Sequence, residues 1–230
     1  MFMNKLCCFG DGYAANHIWP EWPAILAALY PTTEYKNFGV VGAGNEFITS
    51  AIVTAYKEDP TAFFIVQWAP PNRFDKLLED NSWDDIIKND TVYHFNTTIL
   101  NNQKWWISSA SQQYDIQQYH AHYIQEKQAE LRTINYMYLA SNLLKNQSIF
   151  FSTTHMQSYS TQDRFNGIRQ QEVQPSPFVH MCYIEEELLP LMPMQPTTKR
   201  LIELKNRIKQ QNWIAYDPDR VEIWNKLIDF

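Results

Sequence analysis

The sequence predicts an α/β protein built around a mostly parallel sheet, and three features predict it. Apolar runs of strand length alternate with segments of helical spacing over the first 70 residues. Each predicted strand ends in a turn rich in Gly, Asp, Asn or Pro. The continuous apolar run Phe63 to Trp68 is typical of a strand buried on both faces. We therefore expect a three-layer α/β/α fold with a five-stranded sheet.

The elements of this first part follow one another with clear boundaries. The predicted order is a strand at Lys5–Phe9 closed by Gly10-Asp11-Gly12, a helix from Pro23 to near Pro31, a strand at Tyr35–Val41, a helix after Asn45 that ends before Pro60, and the strand Phe63–Trp68. We expect the Asn45 side chain to cap its helix. Alternating strands and helices of this kind predict a flavodoxin-like, doubly wound sheet.

The rest of the chain predicts an insertion and a second group of helices. Polar and aromatic residues from about 70 to 110 indicate a cap with a short helix at Lys76–Ile87 and a hairpin of Thr91–Leu100 and Lys104–Ser108. Later elements are a long helix at Gln112–Lys145 whose apolar side includes Ile116, Tyr119, Tyr123, Leu131, Ile134 and Tyr138, a strand at Ser148–Thr153, a polar loop at Thr154–Pro177, a fifth strand at Phe178–Tyr183, and helices at Pro196–Gln211 and Pro218–Ile228. We assign one domain to 1–230, with the extension 212–230 helical.

Composition limits the classes of function. The formal net charge of −6 argues against nonspecific nucleic-acid binding, which needs a basic face. The apolar runs are too short for a membrane span, and no small-residue cleavage site follows the first residues, so we expect neither a membrane span nor a signal peptide. Cys7, Cys8 and Cys182 form no metal or disulfide pattern, and we expect buried free thiols. We predict no cofactor and no metal.

Aromatic residues make up 15% of the chain, and their role has two readings. Trp68, Trp105 and Trp106 could line a platform on which sugars stack. Packing in the core or between subunits is the interpretation that we favour. Glu185 to Glu187 read as the solvated start of a helix.

Four segments together resemble the SGNH (GDSL-type) hydrolase family. Phe9-Gly10-Asp11-Gly12 is similar to its Gly-Asp-Ser block, and Asn37 to Asn45 is similar to its second block, with Gly42 at the oxyanion glycine. Phe64 to Arg73 lies where that family has a strand before its Gly-x-Asn-Asp block, and Pro193 to Leu201 lies where it has its Asp-x-x-His block. The segments Val66 to Phe74 and Trp105-Trp106 also resemble SGNH-like proteins of tailed phages that infect marine bacteria.

The residues that would carry the family's chemistry differ. Gly12 stands at the position of the nucleophilic serine, and Gln195 or Leu201 stands at that of the histidine. The resemblance leaves a set of oxyanion or ligand donors, namely Gly12, Gly42, Asn45, Asn72 and Arg73. In that family the aspartate at the position of Asp11 mainly shapes the turn, and we favour this structural role here. His155 is the best alternative base, and a non-standard catalytic set would use His155 or Asp11 with water.

The other candidates have ordinary structural explanations. His17 lies near the first turn, but we favour a surface or packing role. His120 and His122 are two apart in a predicted helix and do not share a face. We expect His180 to be a satisfied core residue. Arg73 could bind an anion or pair with Asp75 or Glu79, and none of Ser108, Ser109 and Ser111 is marked as activated.

These observations favour a noncatalytic SGNH-like binding or assembly module, and we expect it to be a tail- or capsid-associated phage component. Two alternatives stay open, an esterase of O-acylated glycans with a non-standard catalytic set and a carbohydrate-binding protein. The expected partners are other virion proteins or copies of itself, with a glycan or acyl ester as a possible ligand. We expect the chain in the host cytoplasm during assembly and in the virion.

Overall fold

The computed structural model describes residues 3–15, 20–78, 96–108, 125–145, 147–162 and 175–210. The helices and strands in chain order are β1 (Lys5–Phe9), α1 (Trp22–Leu29), β2 (Glu34–Asn37), α2 (Asn45–Glu58), β3 (Phe63–Trp68), β4 (Phe74–Leu78), β5 (Asn96–Leu100), β6 (Gln103–Ser108), α3 (Glu126–Leu144), β7 (Ser148–Ser152), α4 (Thr153–Ser160), α5 (Pro177–Tyr183) and α6 (Thr198–Lys209). A 3-10 turn at Gly12–Ala14 follows β1.

The main sheet is parallel, with the strand order β2-β1-β3-β7. Successive residues of β1 point to opposite faces. Leu6 and Cys8 join a core with α1, α5 and α6, whereas Cys7 and Phe9 join a core with α2 and α3. Helices therefore cover both faces, and the predicted three-layer α/β/α architecture is confirmed. Cys7, Cys8 and Cys182 are buried free thiols, as predicted.

The insertion contains a second sheet. Its antiparallel strands have the order β4-β6-β5. The predicted hairpin turn at Asn101-Asn102 is confirmed, and both residues have positive φ, 50° and 61°, as a type I′ turn requires. The predicted helix at Lys76–Ile87 is wrong at its start, because Lys76 to Leu78 belong to β4; its remainder lies outside the described residues. Leu100, Trp105 and Ile107 join this sheet to the α2 and α3 core.

Two predictions about the chain after β7 are corrected. The predicted fifth strand at Phe178–Tyr183 is helix α5, so four strands form the main sheet among the described residues. Its residues are buried on nearly all sides, and such a run has no periodicity that separates strand from helix. The predicted loop after Thr154 begins with α4, which Ser152 caps by accepting a hydrogen bond from the His155 backbone N–H at 3.1 Å.

Helix α3 faces the core with a side that was not predicted. The small residues Ala129, Thr133 and Ala140 pack inward, together with Leu144 at the end of the helix. Leu131, Ile134 and Tyr138 of the predicted apolar side are 59%, 57% and 68% exposed. The larger side chains divide between the two sides, since Tyr136, Met137 and Leu143 pack against the core whereas Leu131, Ile134 and Tyr138 lie outside.

Several predicted features fall on residues outside the description, namely His17, His120, His122, the first part of the predicted long helix and the helix at Pro218–Ile228. Within the described part of the chain, no helix combines the length and apolar character needed to cross a membrane.

Candidate functional site

The carboxyl ends of β1, β3 and β7 meet at the point where the strand order changes direction. The connection from β1 leads to β2 on one side, whereas β3 and β7 lie on the other. Crevices at such points are the usual ligand sites of open α/β sheets. Asp11 follows β1, Gln67 lies at the end of β3 and Thr153 follows β7. These three buried side chains form the centre of the candidate site, which we call the carboxyl-edge cluster.

Asp11 holds the carboxyl-edge cluster together. Its Oδ1 accepts hydrogen bonds from the Tyr13 backbone N–H at 3.2 Å and from Gln67 Nε2 at 3.3 Å. Its Oδ2 accepts from Thr153 Oγ1 at 3.1 Å and lies 3.3 Å from the Arg73 guanidinium. Both carboxylate oxygens are therefore occupied by groups of the protein itself.

Burial and the neighbouring positive charge have opposite effects on the pKa of the Asp11 carboxyl. Only 1% of Asp11 is exposed, and this burial raises the pKa of its carboxyl, while the charge of Arg73 and the hydrogen bonds from Tyr13 and Thr153 oppose the shift. The Arg73 side chain is 25% exposed and reaches the cluster from the loop before β4. The sequence left three roles open for Arg73, and the structure pairs it with Asp11.

Gln67 extends the network beneath the turn. Its Oε1 accepts a hydrogen bond from Trp22 Nε1 at 2.7 Å, and its Nε2 also donates to Thr153 Oγ1 at 3.0 Å. Tyr13 Oη accepts from Gln157 Nε2 at 3.1 Å, which links the turn to α4. The sequence contained one signal for this network, since Gln67 is the polar residue within the otherwise apolar run of β3.

A second polar cluster lies beside the first and holds the N-terminus of α2. Asp75 of β4 accepts hydrogen bonds from the backbone N–H groups of Gly44 at 2.8 Å and Phe47 at 2.9 Å. Burial raises the pKa of Asp75 to about 6. The predicted capping role of Asn45 is wrong, because a residue distant in sequence caps α2.

Asn45 is bound to the residue that follows β3. Its side-chain amide exchanges two hydrogen bonds with the Ala69 backbone, each at 2.9 Å, and also donates to Thr133 Oγ1 at 3.1 Å. Only 4% of Asn45 is exposed. Its amide therefore joins α2, β3 and α3, and these bonds occupy the groups that we predicted as ligand donors.

The two remaining loop candidates have different surroundings. Gly42 has a φ of 81° and is the third residue of a turn in which the Ala43 N–H donates to the Val40 carbonyl at 3.0 Å. A type II turn requires this backbone conformation at that position, which explains the glycine. Asn72 is exposed on the turn from Pro70 to Arg73, whose ends are joined by a 3.1 Å hydrogen bond. The prediction that Gly42 and Asn72 bind an oxyanion stays a prediction.

The turn that contains Gly12 fits tightly against the loop after β2. A Cβ added at Gly39 would lie 2.4 Å from the Ala14 carbonyl oxygen, so glycine is needed for this approach. Asn37 Nδ2 donates to the same oxygen at 2.6 Å. Gly12 itself is buried and offers no side chain for attack on a substrate.

His155 lies on the surface at the start of α4. Its side chain is 53% exposed, its Nε2 is 3.8 Å from Glu187 Oε2, and its ring meets the Tyr183 ring edge to face at 5.7 Å. The contacts of its imidazole thus point toward the segment after α5. The side chain of Asp11 contacts Gln67, Thr153, Tyr13 and Arg73, so within the described ranges the two candidate catalytic side chains have no hydrogen-bond, ion-pair or ring partner in common.

The segment Pro193 to Leu201 docks at the opposite end of α1. Tyr30 Oη donates to the Met194 carbonyl at 2.7 Å, and Arg200 Nε donates to the Ala28 carbonyl. Both contacts are at the C-terminal end of α1, whereas Trp22 at its N-terminal end reaches Gln67. Gln195 donates to the Leu189 carbonyl and Leu201 packs on the core. The structure therefore does not bring this segment to Gly12.

The remaining candidates belong to the core or to surface pairs. Trp68 is stacked on Phe150 with ring centroids 6.1 Å apart, and Trp105 meets Phe47 edge to face at 5.7 Å, so packing accounts for both. The run Glu185 to Glu187 continues α5, and its carboxylates contact Lys205, Tyr159 and His155.

His180 is buried as predicted, but neither ring nitrogen has a hydrogen-bond partner among the described residues, so the prediction of a satisfied residue is wrong. Burial lowers its pKa to about 3.

Chemically, the carboxyl-edge cluster is a closed polar network. Its donors and acceptors bind one another, and its one carboxylate is held by a guanidinium. Among the described residues, no group of three or more His, Cys, Asp or Glu is placed to hold a metal ion. Comparison with models of known protein families, with curated proteins and with solved structures finds no match for this chain.

Proposed function

We propose that the chain is a noncatalytic binding or assembly module with an SGNH hydrolase-like core. The observation that carries the proposal is the occupation of Asp11. A catalytic carboxylate needs a free oxygen that can reach a substrate, a water or a histidine. Both oxygens of Asp11 accept hydrogen bonds within the cluster, and the following residue is a glycine. This arrangement supports a structural role for the residues that an esterase would use.

The finer part of the proposal is the setting, a structural component of a phage particle, associated with the tail or the capsid. It is supported by the resemblance of Val66 to Phe74 to SGNH-like phage proteins. The exposed apolar residues of α3 also support an assembly role, because exposed apolar patches mark contact surfaces. Antibody detection of the chain in purified particles would test this part, and a chain confined to the lysate would contradict it.

Hydrolysis assays test the noncatalytic part. The purified chain should not turn over p-nitrophenyl acetate or an O-acetylated glycan above the rate of a heat-denatured sample. Gly12→Ser should be equally inactive, because Asp11 and its partners do not supply a base for the new hydroxyl. Wild-type turnover that disappears in His155→Ala would overturn the proposal and favour an esterase with His155 as its base.

A further inference from the structure

Helix α3 carries an exposed line of side chains on its outer side. Four residues share this face because they follow one another at spacings of three and four, and we call them the α3 seam, namely Leu131, Ile134, Tyr138 and Ser141. The three apolar side chains are 59%, 57% and 68% exposed, and Ser141 is exposed as well. Single exposed apolar residues are ordinary, whereas a continuous line of them marks a contact surface. Spacings that alternate between three and four are those at which two helices pack along a common line.

The charges around the α3 seam lie at its two ends. No Asp, Glu, Lys or Arg occurs from Thr133 to Leu144, although an outer helix surface is normally rich in charge. Three exposed charged residues precede the seam and one follows it, namely Glu126, Lys127, Glu130 and Lys145. Two carboxylates and one lysine give the N-terminal end a net charge of −1, and the single lysine gives the C-terminal end +1. Arg132, the remaining charged residue of α3, is half-buried and its charge acts on Glu46 of α2.

A face of this kind is complementary to itself in the antiparallel direction. Two copies related by a two-fold axis place the acidic end of each α3 against the basic end of the other, whereas parallel helices would bring ends of like charge together. An axis near position 136 sets Ile134 opposite Tyr138 of the second copy, and Leu131 opposite its Ser141. The ends then agree in charge, because Lys145 of one copy lies at the level between Glu126 and Glu130 of the other, which together outweigh Lys127.

We propose that α3 packs antiparallel against α3 of a second copy of this chain, along the α3 seam. This inference rests on the assembly role proposed above and names the partner. The seam extends over only about 15 Å of helix. A contact of this size gives a pair that dissociates on dilution, since obligate dimers bury much larger surfaces. The hydrolysis and particle assays test the proposed function by other means, so a failure of the pairing is distinguishable from a failure of that function.

Cross-linking between two variants of the full-length chain tests both the contact and its direction. The three native cysteines are buried and suit this design. In the proposed pair, Leu131 faces Ser141 of the other copy, whereas the two Leu131 side chains lie about 15 Å apart along the helix axis. Leu131→Cys and Ser141→Cys are therefore mixed and treated with a short bismaleimide. The matched control mixes Leu131→Cys with Ile202→Cys, since Ile202 is also an exposed apolar residue, 52% accessible, on α6.

We expect roughly tenfold more product of dimer size from the mixture of Leu131→Cys and Ser141→Cys than from either variant alone or from the control mixture, because pairing raises the effective concentration of the two thiols. Peptide mapping by mass spectrometry should place the link between positions 131 and 141. Equal amounts of product in the test and control mixtures would overturn the proposal. So would a yield from Leu131→Cys alone that matches the mixture, because only a parallel pair brings those two thiols together.

An exchange of charge between the ends of α3 is the second test, with the dissociation constant of the pair measured by analytical ultracentrifugation. Lys145→Glu should raise that constant roughly threefold or more, because like charges then meet at both ends. Adding Glu130→Lys makes the ends opposite again and should bring the constant back toward its original value. Lys209→Glu, which changes an exposed lysine at the end of α6, should leave it unchanged. A chain that is monomeric at the concentration of the cross-linking experiment, or equal constants for Lys145→Glu and Lys209→Glu, would contradict the proposal.

Discussion

At the carboxyl edge, Asp11 shares its two oxygens among a backbone N–H, an amide, a hydroxyl and a guanidinium. These donors come from the turn after β1, from β3, from α4 and from the loop before β4. A carboxylate surrounded in this way connects segments that are far apart in sequence. Its removal takes an acceptor away from these buried donors, and that loss defines its contribution to stability.

Replacing Asp11 by alanine should lower the free energy of unfolding by about 3 kcal/mol, because breaking a buried ion pair leaves its partners unpaired. Denaturant titration of wild type and variant measures the difference. The control is Glu203→Gln, which removes an exposed charge that faces Lys199 at 3.9 Å and should change stability by less than about 0.5 kcal/mol. Equal effects in the two variants would show that Asp11 is not a structural centre.

His180 gives a prediction about pH. Its folded-state pKa of about 3 lies below the ordinary histidine pKa of 6.5, so the unfolded chain binds the proton more tightly. The protonation of His180 therefore does not reduce the free energy of unfolding above about pH 6.5. As the pH falls from 6.5 toward 3, it reduces that free energy by about 1.4 kcal/mol per pH unit. His180→Leu should remove this part of the acid sensitivity.

Urea unfolding of wild type and His180→Leu between neutral and acidic pH measures the effect. The free energy of unfolding of His180→Leu should rise relative to that of wild type as the pH falls. His155→Leu is the matched control, because the His155 side chain is 53% exposed and its replacement does not relieve a buried ring. Parallel pH profiles for wild type and His180→Leu would contradict the burial of an unpartnered imidazole.

Among the elements, helix α2 depends on a residue from another sheet. Asp75 of β4 binds two backbone N–H groups of its first turn, and Asn45 binds the Ala69 backbone. The inserted sheet therefore stabilises a helix of the main core. Sequence alone predicted the bounds of α2 from Asn45 and Pro60, but it could not pair the helix with Asp75, because the pairing depends on tertiary contact.

Asp75→Asn should lower the free energy of unfolding by about 1 kcal/mol, since an amide offers one acceptor oxygen to the two N–H groups. Because the folded-state pKa of about 6 lies above 3.8, folding favours the protonated form. The stability contributed by Asp75 therefore rises as the pH falls from about 6 toward 3.8, and the gap to Asp75→Asn widens.

Unfolding curves of wild type and Asp75→Asn near neutral and mildly acidic pH measure this difference in the free energy of unfolding. Asp59→Asn serves as the control of opposite sign. Hydrogen bonds from Thr61 lower the pKa of Asp59, so the gap between wild type and Asp59→Asn should narrow as the pH falls. A gap for Asp75→Asn that also narrows would contradict a raised pKa.

Some of the strands and turns could be predicted from the sequence alone. Phe63 to Trp68 and the Asn101-Asn102 turn were predicted correctly, because a long apolar run and a two-residue turn are local signals. Helix α5 was predicted as a strand because its side chains are buried all round and show no period. The core side of α3 was missed because small residues form much of that side, while large apolar residues occur on both sides of the helix and so mark neither.

For the whole molecule, the layers and the parallel sheet followed from the order of strands and helices, whereas the candidate site did not. Asp11 and Arg73 were predicted as separate functional candidates, and the structure pairs them 3.3 Å apart. Gln67 and Thr153 were missed, although a polar residue inside the run of β3 was a readable signal. The closure of this network comes from side chains that meet only after the sheet forms.

The central claim is that the carboxyl edge holds a structural network in place of a reactive nucleophile. Exposure of the native chain to a fluorophosphonate, which captures activated serines by forming a phosphonyl ester with loss of fluoride, tests it most directly by intact mass. We predict an unchanged mass after prolonged incubation. A stoichiometric adduct that maps to a serine, and that is absent from the denatured chain, would contradict the account.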